Sequence, residues 1–257
     1  MLTFVGLGLY DERSITIEGR DVLRSADRVF AEFYTSKLPG ATVDRLESYH
    51  EVEIEVRDRE GVEQYPEDIL AAAESGDAVF LTAGDTMIST THVDLRLRAA
   101  DRGIETRVIH APTAEAAASG LTGLQNYRFG KATTLPFPRE HVPADVPGSV
   151  RETIDDNRDR GLHTLLYLDI QAEREAYMTA DVAASLLTAD YGNDLAVVVA
   201  RAGNPEPLVV ADRIAGLAEG DFGEPLHLLV IPGPLHHLEA EALRTFAGAP
   251  TELTTVD

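Results

Sequence analysis

Short apolar runs alternate along this chain with segments of helical periodicity. In the first half, strands are predicted at residues 2–8, 28–34, 51–56, 78–82 and 105–110. Helices are predicted between them at residues 15–26, 67–74 and 90–100. Strands that alternate with helices favour a largely parallel sheet with helices on its faces. The order of the elements therefore predicts an α/β fold.

The second half repeats this alternation after an Ala-rich helix predicted at residues 114–123. Strands are predicted at residues 164–170, 195–200 and 226–231, and helices at residues 180–189 and 235–246. A chain of 257 residues is long enough for two domains of ordinary size. We place the boundary between His110 and Lys131, which gives predicted domains at residues 1–112 and 113–257.

The net charge is unusual, at −22 from 44 acidic and 22 basic residues. The acids are spread along the whole chain, and Lys37 and Lys131 are its only lysines. Carboxylates that repel one another in dilute salt are screened at high ionic strength. The composition therefore predicts adaptation to a salt-rich cytoplasm. It argues against direct binding of nucleic acid, because phosphate contacts need concentrated Lys and Arg.

The composition also limits the compartment and the chemistry. The longest apolar runs, at residues 78–83 and 195–200, are far too short to span a membrane. The first residues show no basic region and no cleavage site of a signal peptide. The chain has no cysteine, which excludes disulfides, thiolate metal sites and a cysteine nucleophile. We expect a cytoplasmic protein with no membrane partner.

Three turns that follow predicted strands are candidate ligand sites. They lie at residues 6–9, 82–89 and 110–114. In open α/β sheets, ligands bind beyond the carboxyl ends of the strands. Each turn also has a purely structural interpretation. Residues 6–9 can be an ordinary glycine turn. In the other two turns, Asp85 and Thr113 are candidate helix N-caps, and Ser89 and Thr90 compete with Asp85 for that role.

Several other chemistries are not supported by the spacing. The first turn lacks the third glycine of a dinucleotide fingerprint because position 11 is Asp, and no P-loop is present. His236 and His237 are adjacent, so on a helix they point about 100° apart and do not form a metal pair. We therefore predict no metal site. A catalytic triad cannot be inferred from spacing alone.

The chain resembles the diphthine synthases over nearly its whole length and in order. The first, second and central motifs are specific. The matching segments are residues 4–13 (FVGLGLYDER), 30–36 (FAEFYTS), 91–92 (TH), 121–125 (LTGLQ), 129–131 (FGK), 161–170 (GLHTLLYLDI), 201–203 (RAG), 221–223 (DFG), 231–233 (IPG) and 238–241 (LEAE).

This resemblance implies a methyltransferase of the tetrapyrrole-methylase-like class. Such proteins have two α/β domains with S-adenosylmethionine in the cleft between them, and they are typically homodimers. Two departures from the family pattern bear on cofactor packing. Thr86 replaces the usual proline after Gly84-Asp85, and Thr113-Ala114 replaces the usual Ser-Ile. The resemblance implies that the cofactor is bound by Leu9, Asp85, Ile88, Thr113, Ala114, Leu168, Ala202 and His227.

The implied acceptor is a histidine of translation elongation factor 2 that already carries an aminocarboxypropyl group. Its amine would attack the sulfonium methyl group in line, so the enzyme must align the amine, methyl and sulfur. The amine must lose a proton before each transfer. Asp85 and His92 are hypotheses for the proton acceptor, water is a third, and we assign no catalytic residue. An archaeal member is expected to stop at the trimethylated amine, and S-adenosylhomocysteine is the by-product.

Two alternatives stay open from the sequence. A tetrapyrrole C-methyltransferase would share the fold, but its first turn typically reads Gly-x-Gly-Pro-Gly-Asp-Pro, whereas residues 9–13 here read LYDER. A cofactor-binding protein without turnover would keep the same turns and belong to a different functional class.

Overall fold

The computed structural model describes residues 1–138 and 146–256. The chain forms two compact units. Unit 1 comprises Met1–Thr113 together with Gln171–Glu175, and unit 2 comprises Ala114–Ile170 together with Ala176–Asp257. Each unit has its own five-stranded sheet.

Unit 1 contains a sheet in the order β3-β2-β4-β1-β5, and all its strand pairs are parallel. This is the arrangement predicted from the alternating pattern. Its strands are β1 (Leu2–Gly6), β2 (Arg28–Glu32), β3 (Glu55–Val56), β4 (Ala78–Thr82) and β5 (Thr106–Ile109). Its helices are α1 (Ile17–Ser25), α2 (Val43–His50), α3 (Arg59–Glu63), α4 (Glu67–Ser75) and α5 (Val93–Asp101).

The central strands of unit 1 are buried on both faces, which is why they read as nearly continuous apolar runs. Successive side chains point to opposite faces of the sheet. Phe4 and Phe80 belong to one buried cluster, and their rings meet edge to face with centroids 5.9 Å apart. Val5 and Leu81, the next residues along, belong to the cluster on the other face.

Two local predictions for unit 1 were wrong. Of the strand predicted at residues 51–56, only Glu55–Val56 forms a strand (β3), and Val43–His50 before it forms helix α2. The Thr42 side chain begins that helix by accepting from the Arg45 backbone N–H, and left-handed Glu51 ends it. Ser89 and Thr90 do not cap α5 either. Its N-cap is His92, and the Thr90 hydroxyl donates to the Thr86 carbonyl instead.

Unit 2 contains a sheet in the order β11-β10-β12-β7-β6. The pairs of β10 with β11, β10 with β12 and β12 with β7 are antiparallel, and only β6 with β7 is parallel. The expectation of a largely parallel sheet is therefore wrong for this unit. Its strands are β6 (Thr133–Leu135), β7 (Thr164–Leu168), β8 (Ile170–Gln171), β9 (Ala176–Tyr177), β10 (Leu195–Ala200), β11 (Leu208–Arg213) and β12 (His227–Ile231).

Helices cover both faces of the second sheet. Buried Leu166 and Val198 belong to one core cluster, whereas Leu165 and Val197 belong to the cluster on the opposite face. The sequence pattern did not predict α7, α9 or strand β11. The helices of this unit are α6 (Ala114–Thr122), α7 (Gly148–Asp159), α8 (Ala180–Tyr191), α9 (Ile214–Leu217) and α10 (His237–Ala247).

Candidate functional site

The three predicted turns of unit 1 lie at one edge of its sheet. Strand β1 pairs with β4 on one side and with β5 on the other, in parallel. At the end of this register Gly6 lies opposite Thr82, and Val5 lies opposite Ile109. The turns that follow the three strands are therefore neighbours, as the α/β pattern requires.

Backbone contacts between glycines join the first two turns. The Gly8 N–H donates to the Gly84 carbonyl over 3.2 Å, and the Gly84 N–H donates to the Gly8 carbonyl over 2.7 Å. Both residues have a φ of +76°, which glycine adopts without strain. A Cβ on Gly6 would lie 2.5 Å from the Gly84 carbonyl oxygen and 2.6 Å from Cβ of Ala111. The three turns therefore approach as closely as they do only because Gly6 has no side chain.

Gly84 leaves its outer side open. Apart from Gly84 itself and its chain neighbours Ala83 and Asp85, no heavy atom of the described residues lies within 4 Å of the position that a Cβ would occupy there. A ligand can therefore approach this backbone closely. The neighbouring side chains of Leu9 and Thr113 are half-buried, and Ile88 is 41% exposed. These turns offer a small, mainly apolar surface next to open backbone.

Asp85 ties the second turn to the third. Its side chain is 2% exposed. Oδ1 accepts from the Met87 backbone N–H over 2.9 Å, and Oδ2 accepts from the Ala111 backbone N–H over 3.0 Å. Oδ2 also lies 2.8 Å from Nδ1 of His110. Both carboxylate oxygens are thus used inside the protein, so Asp85 acts first as a positioning residue for the turns.

A buried polar cluster behind the second turn joins His92 to Glu32, and of these two residues the sequence analysis had missed Glu32. Nδ1 of His92 is 3.0 Å from the Thr86 carbonyl, so it carries the proton and donates it. Nε2 of His92 lies 3.5 Å from Oε1 of Glu32. Oε2 of Glu32 accepts from the backbone N–H groups of Tyr34 and Thr35 over 3.0 Å each. The signal in the sequence was Glu32 itself, a charge at the end of an apolar strand.

The charges of this cluster are controlled by burial. Desolvation raises the pKa of Glu32 and lowers the pKa of His92, so both shifts favour the neutral forms. His92 is only 1% exposed. A proton could reach it only through other groups, so its geometry gives it no direct access to an acceptor amine.

In unit 2, Leu168, Ala202 and His227 lie at one edge of the sheet. Ala200 is opposite His227 in the pair of β10 with β12, and Tyr167 is opposite Leu228 in the pair of β12 with β7. Leu168 ends β7, and Ala202 follows β10 by two residues. Ala114 is the first residue of α6 and is half-buried. The sequence-predicted residues of this unit are therefore placed at the ends of strands or at the start of a helix.

His227 is held from both sides of its ring. Nδ1 accepts from the Ala180 backbone N–H over 3.1 Å, and Nε2 lies 3.0 Å from the Glu224 carbonyl, to which it donates. Burial is the largest effect on this ring and lowers its pKa. His227 is 4% exposed and is thus a neutral histidine that fixes the start of α8 beside the strand ends.

Across residues 1–138 and 146–256, no group of three or more His, Cys, Asp or Glu is placed to hold a metal ion. In the same part of the chain, no helix is both long and apolar enough to cross a membrane.

Comparison with known proteins first gives the class. The family profile described as Tetrapyrrole (Corrin/Porphyrin) Methylases matches residues 1–218. This match covers most of both units, and it defines the chain as a methyltransferase of that class. The class that the sequence resemblance implied is therefore confirmed.

Relatives with known names narrow this class. The chain is 70% identical to the diphthine synthase of Halorubrum lacusprofundi, over 98% of this chain and 99% of the relative. It is 67% identical to that of Halobacterium salinarum over the same shares of each chain. A crystal structure of diphthine synthase matches with a TM-score of 0.90 at 39% identity, covering 98% of both chains. A putative diphthine synthase from Entamoeba histolytica matches with a TM-score of 0.86 at 34% identity, covering 97% of this chain and 99% of the other. The chain belongs to the diphthine synthase family, and its acidic composition agrees with the halophilic sources of the relatives from Halorubrum lacusprofundi and Halobacterium salinarum.

Proposed function

We propose that this protein uses S-adenosylmethionine to trimethylate the amino group of the aminocarboxypropyl-modified histidine of elongation factor 2, a step of diphthamide biosynthesis. The observation that carries the proposal is identity of 63–70% to diphthine synthases over nearly the full length of both chains. Such coverage includes every strand-end turn described above. S-adenosylmethionine supplies a methyl group activated by a positively charged sulfur.

The residues of unit 1 fit such a cofactor. Gly84 presents open backbone with a left-handed φ, and the exposed part of Ile88 adds apolar surface beside it. Asp85 holds the turns at a fixed separation through its three bonds. A preformed site of this kind lowers the entropy cost of alignment, which is the main requirement of methyl transfer between two bound groups.

We further propose that the strand ends of both units contribute to cofactor binding. In unit 1 these are Leu9, Asp85, Ile88 and Thr113, and in unit 2 they are Ala114, Leu168, Ala202 and His227. The buried state of Asp85, Leu168 and His227 limits their role to backbone contacts or to positioning. No base is assigned, because Asp85 is fully bonded and His92 is enclosed, and water is a sufficient acceptor between transfers.

The test is transfer of labelled methyl groups to purified elongation factor 2 in molar potassium chloride. Label must enter factor that carries the aminocarboxypropyl histidine and must not enter factor with the bare histidine. Label in neither form, with binding of S-adenosylhomocysteine intact, would refute the assigned acceptor. The second candidate acceptor is a tetrapyrrole pigment, and the finding that favours it is the match to the tetrapyrrole methylase family. An unchanged absorbance spectrum of such a pigment with protein and cofactor would dismiss it.

We also propose that the protein is a homodimer and acts in the cytoplasm. Val93 and Leu97 lie one turn apart on α5 and are 56% and 58% exposed, an apolar pair that a second subunit would cover. Light scattering in molar potassium chloride should give the mass of two chains. The mass of one chain at micromolar concentration would contradict the dimer.

A further inference from the structure

An open groove lies in unit 1 beside the first turn. It has a volume of about 940 Å³ and is lined by residues 10–13, residues 37–42, Arg45 and Tyr49. The Gly40 N–H donates to the Tyr10 carbonyl over 2.8 Å, and a Cβ on Gly40 would lie 2.8 Å from the Tyr10 ring. The two walls of the groove are therefore packed against each other at this point.

Two buried carboxylates fix two exposed arginines on this groove. Nε and Nη2 of Arg13 donate to Oδ2 of Asp11 over 3.0 and 2.7 Å. Nε and Nη2 of Arg45 donate to Oε1 of Glu12 over 3.0 and 2.8 Å. The acidic side chains are 11% and 6% exposed, whereas those of Arg13 and Arg45 are 66% and 61% exposed.

The remaining donors of both guanidinium groups are available to a ligand. Among the residues that the structure describes, Nη1 of Arg13 and Nη1 of Arg45 have no hydrogen-bond partner. A guanidinium already held on one side loses little freedom when it binds a second carboxylate. Its planar donors suit carboxylate and phosphate groups.

The charge of the groove contrasts with that of the chain. Lys37, one of only two lysines, lines it together with both arginines, and its only carboxylates are the paired Asp11 and Glu12. The groove thus exposes two guanidinium groups whose carboxylate partners are buried, on a protein of net charge −22. Helix α2 also begins here after Thr42, and the N-terminal end of a helix favours anions.

The groove begins next to the first turn of the candidate cofactor site along the chain. Tyr10, which lines it, directly follows Leu9 of the first turn. The Ser14 hydroxyl accepts from the Asp11 backbone N–H over 3.1 Å and so folds this segment back. A macromolecule whose modified residue reaches the first turn would therefore place neighbouring segments over the groove. The volume is much larger than one carboxylate needs and suits a stretch of peptide.

We propose that this groove docks an acidic segment of the methyl-acceptor protein, with Arg13 and Arg45 binding its carboxylates. This inference rests on the proposed function, because it takes elongation factor 2 as the acceptor. The charges act on recognition of the partner protein, and they leave binding of the cofactor unchanged.

The test measures direct binding of elongation factor 2 in the presence of S-adenosylhomocysteine, at two concentrations of potassium chloride. The Arg13→Gln/Arg45→Gln protein should bind about tenfold more weakly than the unaltered protein, with a smaller dependence on salt. Arg13→Lys/Arg45→Lys should recover only part of the affinity, because the charge is kept but the planar second donor is lost. Arg107→Gln is the matched control, since Arg107 is an exposed arginine paired with Glu18 outside the groove.

Loss of Arg45 leaves Glu12 without its partner, so Glu12→Gln/Arg45→Gln is tested in parallel. Its affinity for S-adenosylhomocysteine and its melting temperature should match those of the unaltered protein. Equal affinity of all variants for elongation factor 2, or no binding even by the unaltered protein, would overturn the proposal.

Factor with the bare histidine distinguishes the source of the carboxylate. Docking of an acidic segment predicts the same tenfold loss with the bare and with the modified factor. A loss confined to the modified factor would overturn the proposal, because the arginines would then bind the carboxylate of the modification. Failure of the proposed function would give a different result: methyl transfer would be absent, while the unaltered protein would still bind elongation factor 2 more tightly than the arginine variants.

Discussion

Asp85→Asn perturbs the link between the second and third turns without changing the size of the side chain. The carboxylate accepts from Met87 N–H through one oxygen and from Ala111 N–H through the other. An amide has only one acceptor oxygen, so its NH₂ group must face one of these two donors. The backbone N–H of one of these two half-buried residues is therefore left unpaired in either orientation.

An unpaired buried donor costs about 1–3 kcal/mol. For a chain of this size, 1 kcal/mol corresponds to a shift of roughly 2–4 °C in melting temperature. We therefore expect Asp85→Asn to melt about 2–12 °C lower and to bind S-adenosylhomocysteine at least about tenfold more weakly, because the turns separate. Asp85→Ala leaves both donors unpaired and should cost about twice as much.

Scanning calorimetry and isothermal titration calorimetry measure the two effects. Asp94→Asn is the control, because Asp94 is an exposed carboxylate whose pair with Arg98 contributes only about 0.3–0.5 kcal/mol. Unchanged stability and affinity in Asp85→Asn would refute the positioning role. Unchanged stability with lost affinity would instead favour direct contact between Asp85 and the cofactor.

Three further predictions follow from the buried contacts. Gly6→Ala should lower the free energy of unfolding in urea by about 1–3 kcal/mol and weaken cofactor binding. Gly120→Ala, with open space around it, should not destabilise the protein, and equal effects of the two substitutions would contradict the packing of the three turns. Glu239→Gln should cost about 1–3 kcal/mol, because it removes the carboxylate to which half-buried Arg128 donates. Exposed Glu241→Gln should change little, and equal unfolding free energies would disprove this role. Burial lowers four histidine pKa values below the ordinary 6.5, so the stability they contribute is complete above pH 6.5 and is lost as pH falls through their lowered values. The pKa of Glu32 is raised, so the stability that this group contributes is lost as pH rises through its raised value. NMR titration measures the histidine pKa values directly, and any of the four imidazoles titrating at or above 6.5 would contradict the prediction. These four are His50, His92, His163 and His227.

The sequence predicted β1, β2, β4 and β5 to within two residues at each end because the cause is local. The apolar runs of β1 and β4 are buried on both faces and end at Gly6 and Thr82, and parallel pairing brings such ends to one edge. Strand β10 was predicted at its observed bounds for the same reason. The antiparallel pairing of unit 2 was not predicted, because local periodicity gives the strands but not their partners.

The role of Asp85 also lay beyond the sequence. Its acceptance from Ala111 joins residues 26 apart along the chain. Which donors meet a carboxylate depends on how the turns are brought together, so the spacing could not distinguish an N-cap from a ligand contact. The groove arginines are similar, since Arg45 and Glu12 are 33 positions apart. The motif at residues 9–13 drew attention to that region without indicating a cationic surface.

Mass spectrometry of elongation factor 2 after incubation with this protein and S-adenosylmethionine tests the central claim most directly. The factor carries the aminocarboxypropyl histidine, and the reaction contains molar potassium chloride. We predict successive methyl increments on that one residue, which end at three, with fragment ions that place all three on the amine. No increment, or increments on any other residue, would contradict the assigned function.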